Sequence, residues 1–188
     1  AITYGNVSFA GNNDKTALGS MNIVGSVRRL GSTPIFDAAG FTHTIAGDWF
    51  LDFANTTIAS MFGSTINFNG NGPQVVNSGD FDNITFSGSG LKTLDGDLRV
   101  RSDVNINSGA TLSAIIYDIN LYGNWIDNGT FSQTSGHVEF LGSAAQTISS
   151  NLTSAFGDLY IRKDVGADVI ANTTFRVDDN FLFFEDDA

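Results

Sequence analysis

The sequence has no cysteine, so neither a disulfide nor a thiolate metal site holds the chain together. That absence leaves an extracellular setting open and requires only that another device hold the fold. Glutamate occurs twice, at Glu139 and Glu185, and Asp supplies nearly all the acid. Basic residues are few: 9 Lys and Arg stand against 20 Asp and Glu, a net charge of −11. Nucleic acid and anionic membrane both require a basic footprint, so neither is an expected partner. No apolar run is long enough for a spanning helix, and no membrane insertion is expected within this segment. There is no Gly-x-Ser-x-Gly elbow and no P-loop. No signal peptide is recognisable. The chain opens on Ala1 and stops at "FFEDDA", partway through a repeat, so we read it as an excerpt of a longer protein.

What is present points one way. Asp, Asn, Ser, Thr and 21 Gly are turn formers, and 16 Phe add apolar bulk. The strong helix formers are scarce. Such a composition predicts an all-β chain.

The chain also repeats itself. "YGNVSFAGNNDKTALGSMNIVGSV" from Tyr4 aligns without a gap on "FDNITFSGSGLKTLDGDLRVRSDV" from Phe81, 77 residues on. "GDWF" at Gly47 returns as "GNWI" at Gly123. "GSTINFNGNGPQVV" at Gly63 returns as "GHVEFLGSAAQTI" at Gly136, and "FDNITF" at Phe81 as "FGDLYI" at Phe156. The unit is roughly 76 residues and about two and a half copies are present: partial 1–46, then 47–122, then partial 123–188. "NITF", "DLRV", "YDINL", "HVEF" and "DLYI" alternate with the period of a strand. Each unit holds three spaced strand groups, which predicts a parallel β-helix or β-solenoid with rungs of about 25 residues. About seven such rungs would make a rod some 35 Å long. Inward columns are expected at Val7/Ile84/Leu159 and Phe9/Phe86/Ile161, with Phe68 aligned on Phe140. A β-propeller is the rival, and no tight hairpin rhythm favours it.

"GNWIDNGTFSQTSGHVEFLGSAAQTI" followed by "FGDLYIRK" resembles repeats of very large secreted and cell-surface proteins of Bacteroidetes, which share a G-N-W, N-G-x-F, G-x-V-x-F-x-G, Q-x-I, F-x-N-L-x-I cadence. The likeness is close over Gly123–Lys163 and looser over Gly47–Phe86, and Asp158 stands where the cadence has Asn. The resemblance implies an extracellular location at the bacterial cell surface and export by the type IX route. It also implies a role as fibre or stalk, in some cases as an adhesin of gliding motility. It names no ligand.

Candidate chemistry is sparse. His43 and His137 fall at unrelated repeat positions and read as exposed strand or turn residues. Asp178, Asp179, Glu185, Asp186 and Asp187 form the densest acidic stretch, the one candidate for Ca²⁺, with structural turns as the favoured reading. No other cofactor is expected. Trp49 and Trp125 occupy one repeat position. Packing is their favoured role, and stacking on a sugar ring is the alternative. Asp95/Asp97 and Asp178/Asp179 are the adjacent carboxylates that a polysaccharide-cutting β-helix enzyme would need, but neither pair has a neighbouring His. Asn6 and Asn83, repeat equivalents, are expected to pin turns through their side chains. The reading is therefore a structural or adhesive stalk segment, not an enzyme. It would stack on flanking repeats and meet glycans or abiotic surfaces by multivalent contact. A carbohydrate-active β-helix enzyme, hydrolase or lyase, is the alternative. Ice binding would need a flat Thr ladder, for which Thr42-His43-Thr44 is the only Thr-x-Thr.

Overall fold

The computed structural model describes residues 2–11, 13–30, 36–51 and 59–185. Every described strand pair is parallel, and none of these residues is helical. The chain winds as a three-sided coil. The first turn holds β1 (Ile2–Tyr4), β2 (Val7–Ala10) and β3 (Lys15–Thr16); the second β4 (Met21–Ile23), β5 (Val27–Leu30) and β6 (Phe36–Asp37); the third β7 (Thr42–Ile45), β8 (Trp49–Phe50) and β9 (Ala59–Ser60). In the next two turns sides 2 and 3 merge into one long strand: β10 (Thr65–Phe68) with β11 (Gln74–Phe81), then β12 (Asn83–Phe86) with β13 (Leu91–Val100). They separate again in β14 (Val104–Ile106), β15 (Thr111–Ile115) and β16 (Ile119–Leu121), followed by β17 (Trp125–Asp127), β18 (Thr130–Gln133) and β19 (His137–Gly142). The last turns hold β20 (Gln146–Ser149) and β21 (Asp158–Lys163), then β22 (Val169–Ala171) and β23 (Phe181–Glu185).

Side 1 is a nine-stranded sheet running from β1 to β22. Its turn-to-turn step ranges from Thr65 pairing with Asn83, 18 residues on, to Trp125 pairing with Ile148, 23 on. The spacing averages about 21 residues over about eight turns. This corrects the expected rung of 25 residues. A 76-residue unit is not three turns but three turns and two sides. Val7–Phe9 lies on side 2, its equivalent Ile84–Phe86 on side 1, and the third copy, Leu159–Ile161, on side 3. Trp49 and Trp125 shift from side 2 to side 1 in the same way, as do Gln74 and Gln146. Phe68 and Phe140 shift from side 1 to side 3. Matched positions therefore never stack, because each copy is rotated by one side. All three sides make the same demand, apolar inward and polar outward, so one side's sequence serves on another.

The columns predicted from the repeat are thus replaced by others. Side 1 carries His43–Ile66–Ile84–Val104–Trp125–Ile148 and Ile23–Ile45–Phe68–Phe86–Ile106. Side 2 carries Val7–Val27–Trp49–Val76–Leu94. Side 3 carries Phe81–Val100–Leu121–Phe140–Ile161–Phe183. Ile84, Phe86, Phe68, Phe140, Leu159 and Ile161 are buried as expected. Val7 and Phe9 are only half-buried in the first turn, where Phe9 stacks on Phe36 at 4.6 Å. The lumen is filled from different sides at one level. Trp49 meets Phe68 and Phe81 at 6.0 and 5.8 Å, and Trp125 meets Phe131 and Phe156 at 4.8 and 5.2 Å. Burying each such ring stabilises the coil by about 2–3 kcal/mol.

Corners are held by short polar side chains. Before side 2, the Asn6 carboxamide oxygen accepts the N–H of Ser26, the Ser26 hydroxyl that of Asp48, and the Asp48 carboxylate that of Val75, at 2.8, 3.1 and 2.9 Å. At the start of side 1 the same ladder runs through Asn83, Asp103 and Asn124 to the N–H of Thr147. Before side 3 it runs through Asp97 and Asp118, and again at Asp158. Each acceptor must reach one turn away from the corner itself. Asn, Asp and Ser have that length, which suits Asp48, Asp97, Asp103, Asp118 and Asp158 to these corners. The repeat equivalents Gly11/Gly88 and Gly63/Gly136 all adopt positive φ, between 69° and 91°, at bends where a Cβ would be strained.

Candidate functional site

Beneath these ladders, long polar side chains turn inward and cap backbone carbonyls. The buried Gln74 donates to the carbonyls of Ile45 and Gly47 at 2.9 and 2.6 Å and accepts the N–H of Gly70. Its equivalent Gln146 donates to Leu121 and Gly123 at 3.1 and 2.5 Å. Lys92 is fully buried and donates to the carbonyls of Gly70 and Gly90, both at 2.8 Å. Lys163 donates to Leu141, Ala144 and Gln146. Burial lowers the pKa of both lysines. These groups serve the backbone and offer nothing to a substrate.

His43 is buried, against the expectation of an exposed residue. Its Nε2 lies 3.0 Å from the Ala38 carbonyl, and its Nδ1 faces the N–H of Met21 at 3.2 Å. That pairing suits the neutral tautomer with the proton on Nε2, and burial pushes the pKa below its ordinary value despite the Ala38 contact. Trp49 and Trp125 are core residues with 1% and 0% exposure, so neither indole is open to a sugar. Asp178 pairs with Arg176 at 2.8 Å, Asp179 is exposed, and Glu185 ends β23. Asp186 and Asp187 lie outside the described residues. Among the described residues no group of three or more acids and histidines is arranged to hold a metal. Asp95 accepts the Tyr117 hydroxyl, and Asp97 the N–H of Asp118, so both are occupied structurally.

Among the described residues, an outward cluster of ionisable groups is one that adjacency in sequence did not reveal. It lies on side 3, where β19 and β21 pair in register and Asp118 borders them. His137 stacks on Tyr160 at 4.5 Å. Its Nδ1 is 3.0 Å from the Asp118 carboxylate, and its Nε2 is 4.0 Å from Glu139. Arg162 binds Glu139 at 2.8 Å and lies over the Phe184 ring at 4.6 Å. Tyr160 donates to Asp158 at 3.1 Å. Partial burial opposes ionisation of Asp158, but hydrogen bonds from the Asn180 backbone and amide and from Tyr160 outweigh it and lower its pKa. The bond to Asp158 in turn raises Tyr160. A sugar hydrolase needs a carboxyl raised toward neutrality as proton donor. Asp158 is shifted the other way. His137 thus corrects the second histidine reading, since it is half-buried inside an ionic network. The 21-residue step that stacks His137 on Asp158 is set by the strand register and left no signal in the sequence.

A cleft of about 770 Å³ at the first turn is lined by Ile2, Tyr4, Leu18, Met21 and Phe41 among others, with no carboxylate, imidazole or amine. Comparison of the chain with protein families, with curated proteins and with solved structures returned no match.

Proposed function

We propose that this chain is a stiff segment of an extracellular stalk on a bacterial surface protein, adhering through many weak contacts and catalysing no reaction. The observation that carries the reading is the continuity of internal columns and corner ladders along the coil, which ties each turn to the next in register. Parallel pairing and lumen-filling rings make length and stiffness the properties this architecture supplies most directly. The resemblance of Gly123–Lys163 to cell-surface repeats agrees with it. With nine side-1 strands about 4.8 Å apart, the segment spans about 38 Å and presents polar outward positions on every turn.

Beads densely coated with the 188-residue chain are expected to adhere to glycan-bearing surfaces, while the soluble chain binds them at least roughly a hundredfold more weakly. Reducing ends should not be released from uronate or neutral polysaccharides. Steady release of reducing ends would establish the hydrolase alternative instead.

A further inference from the structure

The three outer surfaces differ in charge, and one is unlike the rest. The nine strands of side 1 contain no Lys, Arg or Glu; their single Asp, Asp127, is buried, as is His43. In a chain of net charge −11, the ionic groups lie at corners and on the other sides: Arg28 and Arg29 on side 2, Arg99, Glu139, Asp158 and Arg162 on side 3. Down the middle of side 1, outward positions alternate between hydroxyl and amide from Thr3 to Asn105, beyond which the column passes to Ile126 and Ser149. Thr3 pairs with Asn22, Asn22 with Thr44, Thr44 with Asn67, Asn67 with Thr85, and Thr85 with Asn105. The parallel register sets these groups about 4.8 Å apart.

Part of the column is locked by its own bonds. Asn22 donates to the Thr3 hydroxyl at 3.3 Å, Thr44 to the Asn22 oxygen at 2.7 Å, and Ser87 to the Asn67 oxygen at 2.7 Å. The hydroxyl of Thr85 and the amide of Asn105 have no hydrogen-bond partner among the described residues, although both are half-buried. The result is an uncharged array, fixed in part by its own bonds, with donors and acceptors left over.

We infer that the outer face of side 1 is a docking surface for an extended neutral polysaccharide. This deepens the adhesive reading above and rests on it. Charge selects the partner. A polyuronate, a polyamine or an anionic surface gains nothing on a face without ions, whereas a neutral polymer rich in hydroxyls is matched by alternating amide and hydroxyl groups. The face is a sheet and not a pocket, so a ribbon-like chain meets several rungs at once where a single sugar meets one.

The test uses the 188-residue chain with amorphous cellulose and chitin beads as probes. The chain should be retained on at least one of them, and about 1 M NaCl should leave retention unchanged because no ion pairs contribute. Thr85→Glu combined with Asn105→Asp should lower retention roughly tenfold with an unaltered circular dichroism spectrum, while Arg162→Gln on side 3 should not. Equal retention of the double variant, or loss of retention in salt, would overturn the assignment to side 1. Arrest of ice growth without retention on either polymer would also overturn it, making ordered water the ligand. If neither probe retains the chain but coated beads still adhere to glycan-bearing surfaces, only the side-1 proposal fails. If the beads do not adhere either, the adhesive reading fails with it.

Discussion

At the scale of single residues, the interior of this coil is less apolar than its columns suggest. His43 stands in the same column as Ile66 and Ile84 and is as buried as they are. Its neighbours include Phe36 and Phe41, whose rings lie edge-on at 5.8 and 6.5 Å. A proton on Nδ1 would face the N–H of Met21 and break the pairing. Burial lowers the folded pKa, and the unfolded chain takes up the proton first as pH falls through about 6.5. The stabilisation by neutral His43 is complete above that value and is lost below it. We expect the thermal midpoint to drop between about pH 7 and about pH 5.5, and His43→Gln to remove that slope while lowering stability overall. Equal slopes for the two chains, measured by calorimetry across the range, would refute the assignment. His43 reads from sequence as a lone polar residue between two Thr, and only the pairing register places it in a hydrophobic column.

At the scale of elements, strands of two to ten residues depend on their corners for register. The corner ladders supply an acceptor for a backbone N–H that would otherwise face a bend. Asp103 shows the rule: it accepts both the N–H and the side-chain amide of Asn124, at 2.8 and 2.9 Å. Asp103→Ala should cost about 1–2 kcal/mol in urea unfolding, since it leaves that N–H without its acceptor. Asp103→Asn should cost far less, because Asn83 and Asn124 do the same work one turn below and above. A large loss with Asn would show that charge and not reach is what matters. The expectation that Asn6 and Asn83 pin turns was legible because both recur in the repeat. The third copy has Asp158 in the same role, so a departure from the Asn cadence leaves the function of the position intact.

At the scale of the whole 188-residue chain, the columns are left uncovered at the last described turn. Phe181 and Phe183 continue the Leu159 and Ile161 columns but remain 44% and 72% exposed, since no described turn covers them. The other end exposes Ile2 and Tyr4 on β1. Because all strands are parallel, the two ends have complementary edges, and stacking them head to tail makes an open, non-closing contact. The first thirty residues carry three cations and one acid, and the stretch from Asp164 to Glu185 carries one cation and five acids, so charge favours the same arrangement. Sedimentation of the 188-residue chain should reveal association that rises with concentration, and Phe183→Lys should suppress it. A unsubstituted chain that stays monomeric throughout would show that the exposed edges do not pair.

The sequence by itself determined the strand-rich fold class, the parallel coil and the inward phase of the strands that carry Phe68, Ile84, Phe86, Phe140, Leu159 and Ile161. Period-2 alternation and turn chemistry are local, and a column needs only one apolar residue per strand. Which strands stack was decided by the tertiary structure alone. Three sides with one chemistry make a copy interchangeable among them, so the 76-residue similarity does not reveal that a turn takes about 21 residues. The side-3 ionic cluster and the uncharged face of side 1 are invisible for the same reason. Both are assembled across turns, from residues whose proximity is set by register and not by distance along the chain.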